Sequence, residues 1–171
     1  AIPLIGGWQF PESPSPLVRA AYDAIEDLPE GSVIWMAYDY DPGSQGELHP
    51  MALAFTRHCA LKHHKMYFMT LWPPGVDMIQ KSLTVLETEF PELEYGVDYV
   101  NLGFRSGMEG PIKVMVTNLR KGVTADVNGT SLDNIPMMDG IRSLQDVDLL
   151  VNVSAGYPGT KEWVLYASTP Y

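Results

Sequence analysis

The sequence predicts an α/β fold, a Rossmann-like three-layer sandwich around a mainly parallel sheet of about four or five strands. Three observations carry this expectation. Predominantly apolar runs, VIWMAY at 33–38, MYFMTL at 66–71 and VDLLVNV at 147–153, read as strands covered on both faces, as in a parallel sheet. Between them lie segments with apolar residues at helical three and four spacing. Each run also ends in turn residues: Asp39-Tyr40-Asp41-Pro42-Gly43, Trp72-Pro73-Pro74-Gly75, and Ser154-Ala155-Gly156-Tyr157-Pro158-Gly159. Strands and helices alternating in this way argue for right-handed crossovers with helices on both faces.

In chain order, Pro3, Gly6, Gly7, Pro11 and Pro14 make residues 1–14 an extended lead-in, with a single domain over 15–171. A first helix is signalled by Ser15 as cap, Pro16 at its first position and Leu17, Ala21, Ala24, Ile25 and Leu28 on one face; Pro29 and Gly31 stop it. After the first strand, Ser44 and Glu47 have capping-box spacing, and the stripe Leu48, Ala52, Phe55, Cys59 continues a helix to about His64, with Pro50 offering a later start. Val76, Ile79, Leu83, Leu86 and Phe90 mark the clearest amphipathic helix, and 99–103 a third, shorter strand. A helix opens at Pro111, carries Ile112, Met115, Val116 and Leu119, and ends at Gly122. The stretch 123–146 has no period and presents Ile135, Met137 and Met138 as an exposed-looking apolar patch for a partner; so long a connection is usually functional or an interface. Thr160 caps a last helix through Ala167.

With 11 Lys+Arg against 21 Asp+Glu the formal charge is −10, and no basic run compensates, which argues against nucleic-acid binding. The local cluster Arg57, His58, Lys62, His63, His64, Lys65 lies at a helix end, where cations complement the dipole. Cys59 is the one cysteine, so no intramolecular disulfide forms; its place on an apolar stripe makes it a buried, inert thiol. No apolar run reaches the length of a membrane-spanning helix, and AIPLIGGWQF lacks the basic end of a secretory signal.

If the strands lie in the order third, second, first, fourth, the sheet reverses direction between the first and fourth, and the loops after Asp39 and Val153 flank the crevice where such folds bind ligands. Candidate ligand-binding residues are then Asp39, Asp41, Trp72, Arg105, Glu109, Ser154, Gly156 and Tyr157. Asp39 and Asp41 can share Mg²⁺, or can accept backbone N–H bonds as an acidic Pro-Gly turn that caps the next helix. Arg105, in the turn 103–110 before a helix N-terminus, is a cation facing a carboxylate or phosphate. Trp72 can stack a ring or roof the core.

The run VIWMAYDYD resembles the first motif of the haloacid dehalogenase-like hydrolases, four hydrophobic residues followed by Asp-x-Asp, and Thr70 stands where their second motif has Ser or Thr. This resemblance implies a Mg²⁺-dependent phosphoryl hydrolase with Asp39, Asp41 and Thr70 as catalytic residues and Asp39 and Asp41 as metal ligands. Pro42-Gly43 and Asn152-Val153-Ser154 depart from that family's pattern. A broader likeness is carried by SVIWMAYDYDPGSQGELHPMA, YFMTLWPPG, PELEYGVDYVNLGFRSGMEG, NGTSLDNIPMMDGIRS and VDLLVNVSAGYPGTKEW, which together resemble an uncharacterised family of bacterial and archaeal proteins. There, similar segments lie between hydrophobic anchors, which implies membrane attachment through segments outside these residues. The end at Tyr171, just after a helix, fits a domain cut from something longer. Two functions follow: a non-catalytic ligand-binding or protein-interaction domain, engaging a protein partner or a second copy of itself, and the hydrolase. The glycine turns also permit a nucleotide.

Overall fold

The computed structural model describes residues 13–167. It is an α/β domain with a four-stranded, all-parallel sheet in the order β3-β2-β1-β4: β1 is Val33–Asp39, β2 Lys65–Thr70, β3 Tyr99–Phe104 and β4 Leu149–Ser154. The expected strand order is the one observed, and β1 and β4 pair in register from Ile34 opposite Leu149 to Asp39 opposite Ser154. Most of the expected extended lead-in lies outside the described residues.

Side chains alternate across a strand, so each strand feeds both faces of the sheet. Ile34, Met36, Tyr38, Met66 and Phe68 meet α1 (Pro16–Glu26), α2 (Gln45–Leu61) and α3 (Gly75–Glu89) through Ile25, Ala52, Cys59, Ile79 and Leu83. Trp35, Ala37, Tyr67 and Met69 face the opposite layer, which holds α4 (Gly110–Thr117), α5 (Leu119–Gly122) and α6 (Thr160–Ala167). Helices on both faces of one sheet make the three-layer sandwich.

Local chemistry explains the element boundaries. Ser15 accepts from the Val18 N–H at 3.3 Å and Pro16 opens α1, as expected. At α2 the expected capping box does not form: the Ser44 side chain makes no cap bond, while Asp41 caps a short 3-10 turn, Pro42–Ser44, by accepting from the Ser44 N–H at 3.0 Å. Pro50 is the sixth residue of α2, past the first turn in which proline is readily accommodated, and the helix continues beyond it to Leu61 instead of starting there.

The exposed-looking patch of Ile135, Met137 and Met138 requires correction. Those residues are 5%, 2% and 0% exposed, and they belong to the core with Leu132, Ile141 and Leu144. The region beyond α5 covers the sheet with 3-10 turns, Leu132–Asn134, Pro136–Met138 and Leu144–Asp146, whose apolar residues follow neither a helical nor a strand period. It is tied down by the Tyr67 hydroxyl, which donates to the Met137 carbonyl, and by Arg120, which donates to the carbonyls of Ile141 at 2.6 Å and Met138 at 3.3 Å.

Candidate functional site

The end of β1 carries the carboxylate on which the expected crevice would depend. Asp39 is 0% exposed, and its two oxygens collect donors from three elements. Oδ1 accepts from the Leu71 N–H at 2.7 Å and from the Thr70 hydroxyl at 3.4 Å; Oδ2 accepts from Asn152 Nδ2 at 2.8 Å and Trp163 Nε1 at 2.7 Å. Burial pushes the carboxyl up to about 6, against the pull of the Leu71, Trp163 and Asn152 donors.

Two indoles close the mouth above it. Trp163, 1% exposed on α6, plugs the crevice by burying its indole on one face of the sheet with Nε1 against Asp39. Trp72, after β2, donates through Nε1 to the Pro158 carbonyl at 2.8 Å, and its ring covers Gly156, where an added Cβ would stand 3.5 Å from the ring. Gly159 is needed for the same closure, since a Cβ there would collide with the Gly156 carbonyl and the Ser154 side chain. Ser154 Oγ accepts from the Thr160 N–H at 3.1 Å, and the Thr160 hydroxyl donates to Asn152 Oδ1 at 2.5 Å, seating the start of α6 on β4. On the outer rim, the Tyr157 hydroxyl donates to Glu109 at 2.6 Å. That bond, with the Lys113 ammonium 3.3 Å away, holds Glu109 well below the usual carboxylate range, at about 2.

The structure therefore brings Asp39, Trp72, Glu109, Ser154, Gly156 and Tyr157 to one rim, as the strand order implies, but bonded to one another or to their neighbours rather than around an opening. Asp41 stands apart as a turn cap, and Arg105 lines a separate cleft. A magnesium ion needs oxygen ligands with free lone pairs. Asp39 has its oxygens occupied, Asp41 is engaged at Ser44, and among the described residues no group of three or more His, Cys, Asp or Glu is placed to hold a metal. The residues do not fit magnesium. Thr70, 0% exposed, turns its hydroxyl to Trp72 and Asp39 rather than to solvent. Cys59 is buried, and burial pushes its thiol up to about 12, as an inert core residue requires.

The surface opens instead between α1 and α2. A groove of about 700 Å³ is lined by Leu17, Val18, Tyr22, Met51, Phe55 and Leu61 among others. Leu17 is 83% exposed, Leu61 68% and Val18 59%. Of the apolar face of α1, only Ile25 is buried within the helix. Tyr22 stacks on His58 with ring centroids 4.5 Å apart, and Glu26 receives His58 at 2.8 Å and Lys62 at 3.2 Å, so one wall of the groove is held in place. The apolar spacing of α1 is visible in the sequence, but that α2 leaves it uncovered is not.

The fold defines a parallel α/β domain whose switch-point crevice is filled by its own side chains. Comparison with protein-family models, with curated protein sequences and with solved structures returns no match. Among the described residues no helix is long and apolar enough to cross a membrane.

Proposed function

We propose that this domain is a non-catalytic protein-interaction module that associates with a second copy of itself through the α1/α2 face. The observation that carries the reading is the groove, where Leu17, Val18, Tyr22, Met51 and Leu61 are exposed together. Contiguous apolar surface of this kind is uncommon on a protein that stays alone. An isolated helix of 11 residues is also marginal in water, so α1, anchored through Ile25 near its end, gains stability from any cover over its first two turns.

Charge favours a second copy as that cover. Along α1 and α2 with their C-cap residues Asp27 and Lys62, the cations Arg19, Arg57 and Lys62 nearly balance the acids Asp23, Glu26, Asp27 and Glu47, so almost all of the net −10 lies outside these helices. Two acidic copies repel each other at other faces and meet here with little of that penalty. A two-fold arrangement lays α1 of one copy into the groove of the other, with the residues Leu17, Val18, Ala21 and Tyr22 as anchors. Attachment to a membrane through segments outside this domain, which the family likeness implies, would raise the effective concentration and favour pairing further.

Sedimentation velocity over a concentration series tests the reading. The wild type is expected to move from monomer to dimer, and the double variant Leu17→Glu, Met51→Glu to stay monomeric. A wild type that remains monomeric to millimolar concentration, or a double variant that dimerises equally well, overturns it.

A further inference from the structure

We infer that the cleft at the end of β3, between the β3–α4 turn and α5, binds a small organic anion, its oxyanion head on Arg105 and Lys121 and its apolar body on Phe104, Pro111 and Val114. The cleft encloses about 480 Å³, within the range of small-molecule sites, and both its charged lining residues are cations. That is a local reversal of sign in a chain of net charge −10.

Arg105 is the centre of the argument. Its Nη1 donates to the Phe104 carbonyl at 2.8 Å and its Nη2 to the Ala125 carbonyl at 2.9 Å, which fixes the plane of the guanidinium. Two of its five N–H donors are thereby used, and neither acceptor carries a full charge. Of the three arginines that make no ion pair among the described residues, Arg19 and Arg142 are exposed and Arg105 is half-buried. Burial pulls its pKa down, the signature of a cation that has lost water without gaining a counter-ion. Charges removed from water are ordinarily paired, and a ligand carboxylate or phosphate is the group that would complete this one.

The surroundings suit such a ligand. Lys121 reaches the same cleft from α5 and likewise has no acidic partner among the described residues. The chain turns through Gly107 at φ +115°, a conformation that side chains rarely adopt, and Gly110, the first residue of α4, lies on the cleft wall. Pro111 and Val114 supply an apolar wall too large for a bare inorganic ion to use.

The test is an NMR titration of the isotope-labelled domain with phenyl phosphate, benzoate and uncharged benzyl alcohol. Saturable shifts are expected at amides 104–110 and 121–122 with one or both anions and not with the alcohol, and the stronger anion identifies the head group. Lys121→Ala changes an exposed side chain and leaves the fold intact; it is expected to weaken binding about tenfold, the loss of one charge-assisted contact. Arg105→Gln is expected to abolish it, with a dispersed spectrum showing that the turn at Ala125 survives. No saturable shift with either anion, equal shifts with the alcohol, or unchanged affinity in Lys121→Ala overturns the inference. The oligomeric state of these variants is unaffected, so failure here and failure of the α1/α2 interface are separately visible.

Discussion

The crevice beyond β1 and the face formed by α1 and α2 invert what each promises. The first has aspartates, a serine, glycines and aromatic residues where a parallel sheet reverses direction, and it is closed: Asp39 meets Leu71, Asn152 and Trp163, and Trp72 lies on Gly156. The second has ordinary apolar helix spacing and stays open, with Leu17 83% exposed. Polar residues satisfied inside a fold act as its fastenings, whereas apolar residues left outside mark where something else must fit. The two regions are therefore expected to respond oppositely to mutation, the crevice through stability and the groove through association.

The largest expected effect is Asp39→Ala. It leaves the Leu71 N–H and the Trp163 indole N–H without their acceptor and removes one of the two acceptors of the Asn152 amide, and each buried donor so left costs about 1–3 kcal/mol. A loss of about 3–5 kcal/mol in urea unfolding is expected. A loss below about 1 kcal/mol would mean that the crevice opens to solvent and the contrast collapses.

Asp39→Asn sharpens the same point. Because burial outweighs the donors and raises the carboxyl to about 6, the folded state holds its proton more tightly than the unfolded chain does. The Asp39 contribution to stability is then fully present below about pH 4 and declines as pH rises to about 6, by about 3 kcal/mol for two pKa units. Asn has no carboxyl to titrate, but its NH2 must face donors on one side of the site, so the variant carries a fixed cost at every pH; its stability relative to wild type is expected to fall by about 3 kcal/mol as pH drops from 7 to 4. A difference that does not change with pH over that range would show that the Asp39 carboxyl is not raised by burial. Trp163→Phe keeps most of the plug and removes one donor to Asp39; it is expected to cost about 2 kcal/mol in the same assay.

Much of this was legible in the chain. Apolar runs bounded by turn residues located all four strands, and a plausible strand order brought Asp39, Trp72, Ser154, Gly156 and Tyr157 to one rim. Two things were not legible, for physical reasons. Whether a rim is open depends on what fills it, and the residue that fills this one, Trp163, lies 124 positions beyond Asp39 on a helix whose local pattern marks it only as core. The 3-10 turns carrying Ile135, Met137 and Met138 have no period to read, so a stretch that is a layer of the core resembles an exposed loop. Asp41 shows the converse, since its turn-capping role is a local property and could be foreseen.

The smallest stability effect belongs to the groove, and it discriminates most sharply. Leu17 and Met51 are 83% and 50% exposed, so the double change to Glu removes little buried surface from the monomer. Position 17 also lies in the first turn of α1, where a carboxylate interacts favourably with the helix dipole. In dilute solution the double variant should therefore unfold within about 0.5 kcal/mol of wild type, as surface substitutions do. At concentrations where wild type is dimeric the gap should widen, because association stabilises the native state by mass action and the variant forgoes it. A gap that is large and independent of concentration would mean that these side chains are already covered within one chain, and the groove would join the crevice as a fastening.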